Sequence, residues 1–220
     1  MPAAAVTTSI WQFALIVGLL TLTPGLDTTL ILRTAALGRH RSAWGVVLGI
    51  QTGTLMWGAL TSLGVTALLT ASHIAYEALR WAGAAYLVWM GVRMLAGTFR
   101  RKAADGEPAT PMDGHPVTSG TDTMLRGFRQ GLTTNLLNPK VGVFYVAVLP
   151  QFIPAQTSHL AMGILLASVH VALGLLWSTA LVAFARGLRG WLRKERARRL
   201  LDRVAGTVIA AFGIRLALGD

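Results

Sequence analysis

The sequence predicts an all-α, polytopic membrane protein. We expect six transmembrane helices arranged as two inverted three-helix repeats, with helices 1 and 4 broken. The 220 residues are 53% hydrophobic and only 13% charged, whereas soluble domains carry about 25% charged residues. The apolar residues are gathered into runs long enough to cross a bilayer. The two halves of the chain also repeat the same short motifs in the same order.

Six apolar runs approach the length of about 20 residues that a helix needs to cross the hydrocarbon core. Only helices and closed barrels satisfy their backbone polar groups in lipid, and the alternation typical of barrel strands is absent, so we expect helices. The last run is short, and Arg215 near its end would have to reach the headgroups. The predicted spans are 10–32, 43–71, 81–99, 128–150, 160–185 and 204–218.

The positions of Lys and Arg predict how the chain is oriented. The loops after the first, third and fifth spans carry nearly all of them. Basic loops lie in the cytoplasm, so we expect a multi-pass protein of the plasma (inner) membrane with both termini outside. If the short sixth span does not cross, the C-terminus lies in the cytoplasm instead.

The net charge of +11 would by itself suggest a nucleic-acid partner. Its location in short loops between apolar runs argues against one. The densest run, "RGLRGWLRKERARR" at 186–199, is expected to lie against anionic lipid headgroups. The alternative is that it only sets the orientation of the chain.

The predicted domains are a first repeat at 1–99, a cytoplasmic linker at 100–127 and a second repeat at 128–220. The linker is rich in Pro, Gly, Asp, Ser and Thr and poor in large apolar residues, which predicts flexibility. "FALIVGLLTLTP" in the first repeat matches "FRQGLTTNLLNP" in the second, and "MGVRML" matches "FGIRLA". A three-helix unit begins and ends on opposite faces, so its tandem copy is inverted, an arrangement typical of secondary transporters.

Prolines predict where two of the spans break. Pro24 should interrupt the first span, and Asn138-Pro139 the fourth. We expect Thr23 to cap the helix that restarts, with Pro24 in its first turn. Both breaks should expose free backbone amides inside the membrane, which suit a carboxylate.

A charged residue follows each break: Asp27 after the first and Lys140 after the second. A charge at mid-membrane costs about 3 kcal/mol on insertion scales, so it needs a partner, water or a substrate. One interpretation is an ion pair that only locks the two halves together. The other is a zwitterion site, with Asp27 binding an ammonium group while Lys140 and the amide ends bind a carboxylate.

Other polar and small residues lie within the spans. Gln51 is either an interhelical hydrogen-bonding residue or a cavity residue. The stripe of Gly45, Gly49 and Gly53 predicts close helix packing and is also compatible with a homodimer. His170 shares a helix face with Gly174 and Ser178, and a satisfied interior histidine is favoured over a proton relay. Five tryptophans are either anchors at the membrane interface, which is the default, or cavity walls: Trp11, Trp57, Trp81, Trp89 and Trp177.

At these residues the chain resembles the LysE-type amino-acid exporters, the lysine and homoserine/threonine efflux family, with RhtB-like members. The family signature T-P-G-P-D is matched by "TPGLD" at 23–27, with Leu26 replacing the second proline, which predicts a gentler first break. The motif N-L-x-N-P-K appears as "NLLNPK" at 135–140, and "LPQF" follows at 149–152. The sequence "GAAYLVWMGVRML" at 83–95 is close to the third span of the family.

The resemblance implies export of amino acids or related small metabolites, driven by proton antiport with alternating access. Together with the breaks, it gives one set of candidate residues for the substrate and another for proton coupling. The substrate-binding candidates are Thr23, Pro24, Gly25, Asp27, Gln51, Asn135, Asn138, Pro139 and Lys140. The proton-coupling candidates are Asp27 and His170.

Other functional classes fit the sequence less well. The chain has no cysteine, which excludes thiol–disulfide carriers. An enzyme is not expected, because His170 has no evident serine partner and Asp27 is the one carboxylate within the spans. No metal, cofactor or nucleotide-binding loop is expected. The alternative function is a passive channel or a non-transporting scaffold subunit.

Overall fold

The computed structural model describes residues 2–100, 122–154, 156–185, 187 and 194–218. These residues form eight α-helices and one short 3-10 helix, without a strand among them, so the all-α prediction is confirmed. The helices are α1 (Pro2–Leu22), α2 (Leu26–Ala36), α3 (His40–Ala71), α4 (His73–Arg100), α5 (Met124–Leu136), α6 (Pro139–Val148), α7 (His159–Ala183) and α8 (Glu195–Leu218). The 3-10 helix, Leu149–Phe152, follows α6 directly.

Three of these helices are long and apolar enough to cross a membrane, by length and composition: α1, α3 and α7. Helices α4 and α8 measure about 42 and 36 Å at 1.5 Å per residue, which is also sufficient length, but they are less apolar. The predicted first and fourth spans are each divided into two helices, α1 with α2 and α5 with α6. The predicted sixth span, 204–218, is the second part of α8, which begins at Glu195.

The helices on either side extend into the predicted linker at 100–127. Arg100 belongs to α4, and α5 begins at Met124. Asp122 caps the start of α3, since its carboxylate accepts a hydrogen bond of 2.7 Å from the amide of Ser42. The intervening residues, 101–121, lie outside the described part of the chain.

Helices α3 and α5 lie backbone against backbone through glycines on both sides. A Cβ added to Gly49 would lie 2.6 Å from the amide nitrogen of Leu132, and one added to Gly45 would lie 2.9 Å from that of Phe128. Gly127 and Gly131 on α5 likewise face the α3 backbone. Contacts advance in the same direction along both helices, so α3 and α5 run parallel. The close helix packing predicted from the glycine stripe is confirmed. The stripe packs against α5 of the same chain.

The other long helices pair in antiparallel fashion. A Cβ on Gly174 of α7 would meet the Gln51 side chain of α3, while Gly58, further along α3, faces Ala167, which is earlier in α7. Helices α4 and α8 are also antiparallel, because Gly91 faces Gly206 while Gly213, later in α8, faces Leu87, earlier in α4. Small residues therefore set the spacing at the main helix contacts.

Two apolar clusters fill the interior. One joins α1, α4, α6, α7 and α8 around Phe13, Phe144 and Leu166; the other joins α2, α3 and α7 around Leu32 and Val46. Large apolar side chains such as Leu176 and Trp11 are more than two-thirds exposed on the outside, as expected where lipid is the solvent. A polar cavity lies between the two clusters and is described below.

The α3–α5 packing predicts a position-specific effect of alanine. Gly49→Ala should destabilise the protein by about 1–3 kcal/mol, because the added methyl group collides with the α5 backbone. Gly97→Ala is the matched control, since a Cβ at that helical glycine meets nothing within 4 Å. Thermal unfolding of the purified variants in detergent should show a lower Tm than the wild type for Gly49→Ala but not for Gly97→Ala. Equal melting temperatures would contradict the packing.

Candidate functional site

The first break separates α1 from α2 over Thr23, Pro24 and Gly25. The amide and hydroxyl of Thr23 both donate to the carbonyl of Leu19, at 3.2 and 2.9 Å, so Thr23 belongs to the end of α1. Gly25 is the N-cap of α2, and its carbonyl accepts from the amide of Thr29 at 2.9 Å. The predictions that Thr23 caps α2 and that Pro24 lies in its first turn are therefore wrong, because the threonine hydroxyl is used within its own helix.

Gly25 has no side chain to cap α2. The backbone amides of residues 25–28 make no hydrogen bond to any residue that the structure describes. Leu26, which replaces the second proline of the signature, is the first position of α2, and the helix is fully interrupted before it. A break gentler than that of other members stays a prediction. Free amides are present at this end, as predicted.

At the second break, the backbone amides that start α6 find their acceptors within the break itself. Asn138 caps α6, since its Oδ1 accepts from the amide of Lys140 at 3.1 Å. Its carbonyl accepts from the amides of Val141 and Gly142 at 3.1 and 3.0 Å, and Pro139 has no amide hydrogen to satisfy. The prediction of free amides is therefore wrong at this break.

The carboxylate of Asp27 is held by two amide side chains of the second break. Asn135 Nδ2 donates to Oδ2 at 2.9 Å, and Asn138 Nδ2 donates to Oδ1 at 3.3 Å. Hydrogen bonds to an ionised acceptor are stronger than those between neutral groups. One break thus supplies the acid, and the other supplies its neutral partners.

Lys140 reaches in the opposite direction, to the end of α1. Its Nζ donates to the carbonyls of Leu20 and Thr23 at 3.1 and 3.3 Å. These carbonyls lie at the end of α1, where the break leaves them without a helical amide as donor. Among the described residues, neither carboxylate oxygen of Asp27 lies within 4.0 Å of Lys140 Nζ. A direct ion pair between Asp27 and Lys140 is therefore absent, and each charge has its own partners in the other half of the chain.

These groups surround a cavity of about 70 Å³, which is room for several water molecules. Pro24 and Pro139 interrupt their helices but do not line it. The other candidates are brought together here: Thr23, Gly25, Asp27, Gln51, Asn135, Asn138, Lys140 and His170. The arrangement offers one acid, one ammonium group and a row of free amides around one polar space.

Gln51 and His170 lie on the wall that α3 and α7 form. Gln51 is buried, and its side-chain amide makes no hydrogen bond to a described residue, so it is a cavity residue. His170 Nδ1 shares a hydrogen bond of 3.0 Å with the Tyr145 hydroxyl, and the two rings stack. The histidine is thus a satisfied interior residue that also faces the cavity.

Two tryptophans differ from the expected interfacial role. Trp177 lines the cavity, and its indole nitrogen is buried without an acceptor among the described residues. Trp57 Nε1 donates to the carbonyl of Asn135 at 3.4 Å, so it supports the second break. Trp11, Trp81 and Trp89 are at least half exposed, as anchors would be.

The cavity is also lined by residues that were not predicted as site residues, among them Thr28, Thr54, Gly174, Trp177 and Ser178. The spacing of four on α7 that joins His170 to Gly174 and Ser178 is a signal that could have found those two. Thr28 and Thr54 lie on other helices and have no such signal. In the described part of the chain, no three His, Asp or Glu side chains are grouped so that they could hold a metal ion.

A family model described as LysE type translocator matches residues 18–220. The chain belongs to this family. It is 30% identical over 209 residues to the homoserine/homoserine lactone efflux protein of Salmonella typhi, covering 94% of this chain and 96% of the relative. It is 30% identical over 205 residues to the threonine efflux protein of Escherichia coli K12, covering 89% and 90%.

An uncharacterized membrane protein of Bacillus subtilis, YrhP, is 26% identical over 210 residues, covering 96% of this chain and 99% of the relative. No solved structure matches the chain. Membership of a translocator family, together with the apolar helices, identifies an integral membrane protein.

Proposed function

We propose that this LysE family member is a secondary transporter that exports amino acids or related small metabolites across the plasma membrane. The observation that carries the proposal is the pairing of one acid and one ammonium group, held apart by separate neutral partners, around one buried polar cavity. The efflux relatives in Salmonella typhi and Escherichia coli support it. Both ends of a zwitterion find a complementary group in this cavity.

The carboxylate end of the substrate is bound by Lys140 and the start of α2. A Cβ on Gly25 would lie 3.9 Å from Lys140 Nζ, so the ammonium group lies beside the free amides of residues 25–28. A helix N-terminus and a neighbouring cation together favour an anion. The ammonium end is bound by the carboxylate of Asp27.

Alternating access requires that the two halves move against each other around this cavity. The bonds from Asn135 and Asn138 to Asp27, and from Lys140 to α1, all cross between the halves. A bound zwitterion competes for both charged groups, and so replaces contacts that hold the halves together. The antiparallel pairs α3–α7 and α4–α8 support an arrangement of two inverted repeats. In this arrangement both termini lie outside the cell.

Proton antiport follows from the chemistry of one residue. A carboxylate that binds an ammonium ion releases it when a proton takes its place, so Asp27 can alternate between substrate and proton. His170 is the second candidate, because it lines the cavity and is hydrogen-bonded to Tyr145. The competing function is a passive channel. Flux through a channel would not saturate with substrate concentration and would not depend on a pH gradient.

Uptake into inside-out vesicles tests this function. An exporter moves the substrate from the bath into the lumen while protons leave, so an acidic lumen should accelerate uptake. We expect saturable uptake of threonine or homoserine. An acidic lumen should stimulate this uptake, and a protonophore should abolish the stimulation. Uptake that does not saturate and ignores the gradient would indicate a channel, and no uptake of any amino acid in a panel would contradict export.

Replacing the two charged residues tests the zwitterion site. Asp27→Asn and Lys140→Met should each reduce uptake about 30-fold or more, since removing one member of a buried charge contact costs about 2–5 kcal/mol. Asp122→Asn is the matched control, because it makes the same change at an exposed position and its side-chain oxygen can still cap α3. The Asp27→Asn/Lys140→Met double mutant should remain inactive. If it transports better than either single mutant, the two residues serve only to neutralise each other.

A further inference from the structure

We propose that the start of α8 holds a binding site for one anionic phospholipid, whose phosphate is bound by three arginines. Arg196, Arg199 and Arg203 surround a surface pocket of about 400 Å³, and Leu200 completes its lining. This arginine pocket lies apart from the substrate cavity, which none of the four residues lines. A discrete site of this kind differs from a general attraction of the basic run at 186–199 to a charged membrane surface.

The first observation is the arrangement of the three arginines. They follow one another at intervals of three and four residues, which places them on one face of α8. Guanidinium groups bind phosphate oxygens through paired, charge-assisted hydrogen bonds, so arginines around one pocket can share one phosphate. The stretch from Glu195 to Arg203 contains four arginines against Glu195 and Asp202, a net charge of +2. The start of α8 therefore favours an anionic ligand.

The second observation is that α4 orients one of these guanidinium groups. Arg203 Nε donates to the hydroxyl of Thr98 at 3.3 Å. Thr98 is buried, and its hydroxyl donates in turn to the carbonyl of Leu95 at 2.7 Å. Because the guanidinium group is planar, holding its Nε edge sets the plane in which its other nitrogens donate. A side chain oriented in advance loses less conformational freedom when a ligand binds.

The third observation indicates that the phosphate belongs to a lipid. Leu200 lies among the arginines and is 60% exposed, so the pocket combines charge with apolar surface. The same exposed face continues along α8 as a stripe of uncharged residues at intervals of three and four. From Arg203 to Leu218 this stripe measures about 22 Å at 1.5 Å per residue, which exceeds half of the hydrocarbon core of about 30 Å. The stripe consists of Leu200, Val204, Thr207, Ala211, Ile214 and Leu218.

A phospholipid matches both parts of this surface, whereas a soluble anion would use the arginines alone. Its phosphate would lie in the arginine pocket, and one acyl chain would lie along the stripe on α8. The charge of the pocket also selects the class of headgroup. A zwitterionic headgroup would bring an ammonium group close to three arginines, and like charges placed together oppose binding. An anionic headgroup such as that of phosphatidylglycerol has no such group.

Lipid binding to the purified full-length protein in a non-ionic detergent tests the inference without a transport assay. Native mass spectrometry should show one bound phosphatidylglycerol, with an affinity about tenfold higher than that of phosphatidylcholine with the same acyl chains. Glycerol phosphate is the headgroup without the chains, and it should bind at least about tenfold more weakly than the lipid, since it buries no apolar surface. Equal affinities for the two lipids, or for the lipid and glycerol phosphate, would overturn the inference.

Substitutions distinguish the arginine pocket from a general attraction to charge. Arg196→Gln and Arg199→Gln should each weaken phosphatidylglycerol binding about tenfold, because each removes a charged donor from the pocket. Lys194→Gln is the matched control, since this lysine belongs to the same basic run but is exposed and does not line the pocket. It should change the affinity less than about twofold, as expected for an isolated surface charge. Equal losses in all three variants would overturn the discrete site.

Leu200→Gln tests the apolar part of the site without changing its charge. It should weaken phosphatidylglycerol binding several-fold and leave glycerol phosphate binding unchanged, because the side chain contacts the acyl chain and not the phosphate. Unchanged lipid affinity in this variant would overturn the assignment to a lipid. The melting temperature of each variant without lipid should equal that of the wild type, since the substituted side chains lie at the surface of the pocket. Loss of lipid binding then reports the site and not the fold.

Discussion

The interaction on which the site depends is the pair of hydrogen bonds from Asn135 and Asn138 to the carboxylate of Asp27. A carboxylate inside a membrane needs partners, and these come from the opposite half of the chain. Asn138 is in place because it caps α6. Asn135 is in place because α5 lies against α3 at Gly53, where a Cβ would lie 2.6 Å from Asn135 Oδ1. The glycine packing of the fold thereby sets the geometry of the site.

The two breaks are not equivalent, and their difference gives the site two chemical ends. The first break leaves backbone amides free and contributes Asp27. The second satisfies its own amides and contributes Lys140, which reaches over to the carbonyls of α1. A symmetric pair of open helix ends would bind two anions. The observed arrangement suits one anion and one cation at a short separation, which is the charge pattern of an amino acid.

The sequence predicted the features that follow from the backbone properties of proline and glycine. Proline cannot continue a helix, so both interruptions were predictable, and the glycine stripe required a close neighbour. The errors concern partners that only the folded chain supplies. The Thr23 hydroxyl bonds within α1, the second break caps itself, and Trp177 faces the cavity instead of the membrane interface. The proximity of Asp27 and Lys140 was predictable from the repeat, but their separate partners were not.

The central claim is that the cavity between the broken helices opens to water on each side of the membrane in turn and holds the substrate. The chain has no cysteine, so a single Thr28→Cys replacement places one thiol on the cavity wall. We expect a charged, membrane-impermeant thiol reagent to label it from either face of the membrane, and substrate to protect it. Leu176→Cys, on the exposed outside of α7, should remain unlabelled. Labelling from one face only, without protection by any amino acid, would contradict the claim.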